Sequence, residues 1–295
     1  MSTYKSNRKI SFAIILAVYA AASVIGIAVY RMLPFPFWAS LLVADVCATV
    51  ATFIASAAFG NASVYDPYWS VQPIVILIYT AAVEGASPLG MLLLACVCFW
   101  GVRLTANWAY TFKGLDRQDW RYTMLCEKTG ALYPAVNFAG IHMFPTLVVY
   151  LCTLPAVFAF HYDAKLSVPS VIFCAVSVGA AVLQGTADVQ MHRFRKSGVG
   201  GFIRTGLWKY SRHPNYLGEI LMWWGVGLAV LFALPERPYL LAGAIVNTLM
   251  FLVISIPMAD NRQSKKDGFA EYKAATHALL PIKKHADPAA EQKAN

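Results

Sequence analysis

Stretches of about twenty apolar residues recur along nearly the whole of this chain, separated by short segments that carry most of its charge. They are centred on 10–30, 38–59, 71–84, 88–112, 138–160, 168–190, 215–234 and 238–257, and 71–84 is the shortest. A helix of ~20 apolar residues is what crosses the hydrocarbon core of a bilayer. The pattern predicts an all-α, multi-pass membrane helix bundle of about 7–8 transmembrane helices. Composition agrees. The chain is 58% apolar and only 13% charged, its mean hydropathy is +0.54, and a soluble globular domain carries about 25% charged residues. The first span is too long for a simple signal peptide and shows no A-x-A-like cleavage site, so it counts as a helix of the bundle.

The charges set the orientation. With eight spans both termini share one side, and that side collects 20 of the 24 Lys and Arg residues. The opposite loops hold only Arg31, Lys165 and Arg237, and Arg103 lies within a span. By the positive-inside rule both termini are cytoplasmic, and the formal charge of +9 is mainly topology and contact with membrane lipids. No soluble basic domain is visible, so nucleic acid is not a partner. Multi-pass insertion without a retention signal points to an integral protein of a bacterial plasma (inner) membrane. Residues 1–282 read as one integral membrane domain, and the Ala/Asp/Glu/Lys-rich 283–295 as a disordered tail. The loop 113–137 mixes charge with aromatics and reads as an ordered lid, and the segment from Asp260 to about Ala275 as a surface helix.

No metal site is expected. The six cysteines lie mostly inside apolar spans, without C-x-x-C or zinc-like spacing, and serve as small packing residues.

Polar residues inside the spans carry the functional argument. Asn215 and Glu219 are four apart and share a helical face, and an ionisable group at membrane depth marks function by default. Trp100, Arg103, Asn107 and Tyr110 form one helical stripe, and Gln184, Asp188, His192 and Arg195 another. Asp66 is expected to cap a helix beginning at Pro67. Pro214 opens the 215–234 helix, whose N-terminal N–H groups attract anions. Each element also has a plainer reading. Arg103 neutralises a buried acid such as Glu219 or Asp45; Gln184 and Asp188 are interhelical glue; Asp66 is only a cap. The gathering of all these groups at one depth on one side favours a cavity for an anionic, adenine-containing cofactor and a lipid-like partner.

Several of these blocks are familiar in combination. Arg103-Leu104-x-x-Asn107-Trp108, Asp119-Trp120-Arg121-Tyr122 and the run from Gly206 through Ser211-Arg212-His213-Pro214-Asn215-Tyr216 to Gly218-Glu219, with Tyr272 and Pro281 downstream, resemble the DUF1295 branch of the steroid 5-alpha-reductase superfamily. The resemblance covers roughly 65–282. It implies membrane-embedded reduction, with NADPH, of an activated carbon–carbon double bond, an enone in a steroid-like or other hydrophobic lipid. It places the cofactor-binding part at about 184–282, on Gln184, Asp188, Arg195, Tyr210, Arg212, His213, Asn215, Tyr216, Glu219 and Asn261. The amino-terminal Gln-Glu pair by which the steroid enzymes meet the substrate ketone has no counterpart here.

Gly198-Val199-Gly200-Gly201 follows a helix instead of a strand, so it is not a dinucleotide fingerprint. Arg193, Arg195, Lys196, Arg204 and Arg212 are the candidates for phosphate, and their number favours NADPH over NADH. Hydride transfer to the β-carbon builds charge on the carbonyl oxygen, which calls for a preorganised donor. The candidates are Arg103 first, then Asp66, Tyr68 and Tyr110. Two other readings stand beside this one. One is an S-adenosylmethionine-dependent membrane methyltransferase of the isoprenylcysteine type, which shares an Arg-His-Pro-x-Tyr turn; the other is a non-enzymatic lipid binder or transporter.

Overall fold

The computed structural model describes residues 3–282, so the tail expected beyond 282 lies outside the described residues. After a single helical turn at Thr3–Ser6 come α1 (Arg8–Met32), α2 (Phe37–Phe59), α3 (Tyr68–Glu84) and α4 (Pro88–Thr111). A long helical run, α5 (Trp120–His161), is followed by α6 (Val168–Lys196), α7 (Pro214–Leu231), α8 (Pro238–Gln263) and the short α9 (Phe269–Ala275). Among the described residues six helices are long and apolar enough to cross a membrane: α1, α2, α4, α5, α6 and α8. The chain is an integral membrane helix bundle. Two expected spans fall outside that set. α3 has only 17 residues, and the 18-residue α7 opens on Pro-Asn-Tyr and carries Glu219. They pack against α4 and α5, and along α6, respectively.

Local chemistry sets the helix ends. The Asn7 side chain caps α1 by accepting from the N–H groups of Lys9 (3.0 Å) and Ile10 (3.2 Å). Ser87 and Ser167 cap α4 and α6, each followed by a proline in the first turn. Gly60 closes α2 in the left-handed region at φ 60°, which a side chain would strain. α5 runs through a π-helical turn at Asn137–Met143. Its first turns, from Trp120 on, replace much of the loop-built lid expected at 113–137.

The basic segments meet at one end of the bundle. The main-chain N–H of Asp116 donates to Lys5 O at 3.2 Å, and Arg8 Nη2 donates to Ala109 O at 2.8 Å. Arg262 lies 4.0 Å over the Trp120 ring, and Lys266 Nζ donates to Gly201 O at 2.7 Å. Contacts of Glu84 with His161 and of Arg237 with Tyr162 mark the opposite end. The described N-terminal residues and the segment after α8 thus share a side, as the charge distribution requires of an even number of crossings.

α6 and α7 form the tightest seam, because small residues let their backbones approach. A Cβ on Gly218 would lie 2.7 Å from Ala180 O, and one on Gly225 would lie 2.2 Å from Ser177 Oγ. Ser177 Oγ also donates to Met222 O across this seam at 3.1 Å. Gly225→Val is expected to cost the ~1–3 kcal/mol typical of overpacking, read as a lowered unfolding temperature in detergent. An unchanged temperature contradicts the seam.

Candidate functional site

The two polar stripes face one another and pair in register. On α4 and α6, Arg103 Nη1 donates to Asp188 Oδ2 at 2.7 Å while its Nη2 donates to Gln184 Oε1. One turn toward the basic end, His192 Nε2 donates to Asn107 Oδ1 at 2.7 Å, and the Tyr110 ring leans on the His192 ring at 5.1 Å. Gly185 makes room for the arginine: its Cβ position is 3.1 Å from Arg103 Cδ.

Glu219 completes the network from α7. It is 2% exposed, and its carboxyl group accepts three N–H bonds. They come from Trp100 Nε1 (2.8 Å), Gln184 Nε2 (2.7 Å) and Trp223 Nε1 (2.9 Å). Gln184 is the joint, donating to Glu219 and accepting from Arg103. Trp223 sits four residues after Glu219 on the same face, a spacing the sequence already carries.

The Arg-His-Pro-Asn block divides its work. Arg212 pairs with Asp260 of α8 (Nη2 to Oδ2, 3.1 Å) and donates from Nη1 to Thr276 O and Lys273 O. His213 Nε2 is 2.9 Å from Asp260 Oδ1, and the Tyr216 ring stacks on His213 at 5.0 Å. The main-chain N–H groups of Arg212 and His213 donate to His277 O and Ala278 O. These residues bind the segment 260–278 to the start of α7. Asp260, absent from the sequence-based candidates, is their common partner; it lies 47 and 48 residues away, so no local pattern reveals it. Asn215, in the first turn of α7, differs: its Oδ1 is buried and has no partner.

A cavity of about 1040 Å³, counted to its open mouth, lies at the basic end between α3, α4 and the 113–121 segment. Asp66, Trp69, Asn107, Trp108, Arg117, Gln118 and Arg121 line it. Asn107 therefore belongs both to the cavity and to the paired stripes. Asp66 is not a helix cap, since the residue before α3 is Pro67. Its Oδ1 accepts instead from the Tyr122 hydroxyl at 2.5 Å. Burial pushes the Asp66 carboxyl up to about 6, against the downward pull of the Arg121 guanidinium and the Tyr122 hydrogen bond.

Other expected residues are placed elsewhere. Tyr68 is buried, but it lines a different cavity between α1, α2 and α3. Tyr110 is 68% exposed and does not line the basic-end cavity. Arg103, the first choice for the carbonyl, is held by Asp188 and Gln184. Arg193, Arg195, Lys196, Arg204, Tyr210 and Asn261 are exposed at the basic end.

A buried polar centre beside a basic-end cavity lies within this integral membrane helix bundle. The chain belongs to the DUF1295 family, described as a protein of unknown function, whose model matches residues 52–276. This family is a branch of the steroid 5-alpha-reductase superfamily. An uncharacterized protein of Schizosaccharomyces pombe (strain 972 / ATCC 24843) is 27% identical over 192 residues, covering 55% of this chain and 56% of the relative. The chain thus spans about half the length of that curated relative. No solved structure matches.

Two outcomes follow from the geometry. Arg103→Met leaves Asp188 without its cation and is expected to destabilise strongly, toward the ~3–5 kcal/mol of a broken buried pair, while Arg103→Met with Asp188→Leu recovers most of the loss. Equal losses in the single and double variants contradict the pairing. For Asp66 the folded-state value lies above the ordinary one, so ionisation penalises the folded state above pH 6. The penalty is relieved as pH falls from about 6 toward 4. Unfolding temperatures should therefore fall less, between pH 7 and 4.5, for the native chain than for Asp66→Asn; parallel curves contradict this.

Proposed function

We propose that the protein is a membrane-embedded, NADPH-dependent reductase of an activated carbon–carbon double bond in a hydrophobic lipid, with both termini on the cytoplasmic side of a bacterial plasma membrane. The observation that carries the reading is the basic-end cavity, where two carboxyl groups, two amides, two arginines and two tryptophans line a single space next to the motif helices. The residues present fit the cofactor. Asn215 Oδ1 is an orphaned buried acceptor suited to an amide N–H, and Arg193, Arg195, Lys196 and Arg204 offer exposed cations to phosphate. Asn215, Asn107 and Gln118 would hold the nicotinamide portion, and Asp188 with Arg195 the ribose–phosphate portion.

Bound there, the reduced nicotinamide supplies a hydride. The chain's own part is orientation and electrostatics. Glu219, Gln184 and Arg103 fix the depth and rotation of α7 against α4 and α6, which sets where Asn215 lies. Arg212 and His213 act through Asp260 to hold the first turn of α7 in place. Asp66, its carboxyl raised to about 6, takes up a proton below that pH, and its O–H is then the donor offered to a substrate carbonyl at the cavity wall. Losing one preorganised donor of this kind costs ~3 kcal/mol of transition-state stabilisation. Trp69 and Trp108 give the lipid an apolar wall.

The test is thermal unfolding of the purified chain with NADPH, NADH and S-adenosylmethionine. A ligand that binds only the folded state at 100 times its Kd adds ~2.7 kcal/mol. NADPH is expected to raise the unfolding temperature most, and Asn215→Ala to weaken that effect at least tenfold. Stabilisation by S-adenosylmethionine with none by NADPH overturns the reading in favour of a methyltransferase.

A further inference from the structure

The charged groups of the basic-end cavity are unevenly matched. Its lining carries Lys113, Arg117 and Arg121 against Asp66 and Asp119. Asp119 is committed to the start of α5: its side chain accepts from the Arg121 main-chain N–H at 2.9 Å and from Arg121 Nε at 2.8 Å. That pair engages only Nε, so the two terminal amino groups of the half-exposed Arg121 face the cavity free of Asp119. Lys113 and Arg117 are exposed on the same lining. Two guanidinium forks and an ammonium group on one wall suit an oxyanion such as phosphate.

Asp66 shares that lining and answers to Arg121. The groups facing its carboxyl are Arg121, Tyr122 and Asp119 from the start of α5, Ser63 from its own turn and Tyr19 from α1. Tyr122 holds Oδ1 from behind the cavity wall. Burial raises the carboxyl to about 6, and the Arg121 guanidinium is the strongest of the influences that keep it from rising further. At pH 7 only about a tenth of Asp66 then carries a proton. An anion on Arg121 offsets the guanidinium charge, so it removes that pull and drives a proton onto Asp66. Linkage makes the effect reciprocal: the anion binds more tightly once Asp66 is neutral.

We propose that the basic-end cavity takes up an oxyanion on Arg117 and Arg121 together with a proton on Asp66, so that the carboxyl O–H forms when the anion is in place. The identity of the anion rests on the reductase reading, in which it is a phosphate of the dinucleotide; the coupling itself does not. The experiment follows the carboxylic acid C=O stretch of Asp66 by infrared difference spectroscopy on the full chain in detergent. Sulfate is the probe, because its charge is constant across the range, and loss of the band in Asp66→Asn identifies it. The midpoint is expected near 6 without sulfate, and about one pH unit higher at saturating sulfate, the low end of shifts caused by a neighbouring charge. Arg121→Gln should show the raised midpoint without sulfate and no response to it, and Arg121→Lys should restore the response. Sulfate affinity should fall about fivefold from pH 6 to pH 8 in the native chain and stay level in Asp66→Asn. A midpoint that sulfate does not move, a response that survives in Arg121→Gln, or equal losses of affinity in both chains overturns the proposal. NADPH in the same assay separates the two claims. A sulfate response without NADPH binding keeps the coupling and ends the reductase reading; NADPH binding without an Asp66 response does the reverse.

Discussion

The Glu219 carboxyl group is 2% exposed, packed among the central helices, and their arrangement answers that constraint. Burying a carboxylate alone costs several kcal/mol after relaxation, whereas hydrogen bonds to charged groups return about 1.5–3 kcal/mol each. Three N–H donors from three helices meet it: Trp100 of α4, Gln184 of α6 and Trp223 of α7 itself. Gln184 reaches Glu219 because Gly218, one residue earlier, lets α7 close onto α6. Its other end engages Arg103, which engages Asp188, so the requirement of one acid propagates along two helices. A satisfied network of this kind rigidifies, and a half-satisfied one is worse than an apolar core.

Rigidity at Glu219 has a consequence one turn away. Asn215 sits between the fixed acid and the Arg212–His213–Asp260 clamp, and its side-chain oxygen is left buried and open. Asn107 plays a similar part on α4, tied to His192 yet lining the basic-end cavity. The motif that reads as one binding signature is therefore two devices. Arg212 and His213 hold the segment after α8 to the bundle, and Asn215 carries a buried side-chain oxygen with no hydrogen-bond partner.

The helices were legible because apolar length is a one-dimensional property: all eight expected spans are helical, within a few residues at most ends. The register between stripes was half legible. Trp100, Arg103 and Asn107 share a face by spacing alone, as do Gln184, Asp188 and His192, but that the two faces meet is a tertiary fact. The plainer readings of Arg103 and Gln184, as a buried acid's counter-ion and as interhelical glue, describe bonds that the structure contains. Tyr68 was less accessible to pattern reading, because its place depends on how α1 seats against α2. Asp66 was placed at a helix start on good local grounds, yet Tyr122, 56 residues away, takes its carboxyl.

The most direct test of this account is a double-mutant cycle on unfolding stability with Glu219→Leu and Trp100→Phe. If the indole and the carboxyl group hold each other across α7 and α4, the coupling energy falls in the ~0.5–3 kcal/mol range of residues in contact. Additive losses, with coupling near zero, would contradict the claim that the buried acid organises the bundle.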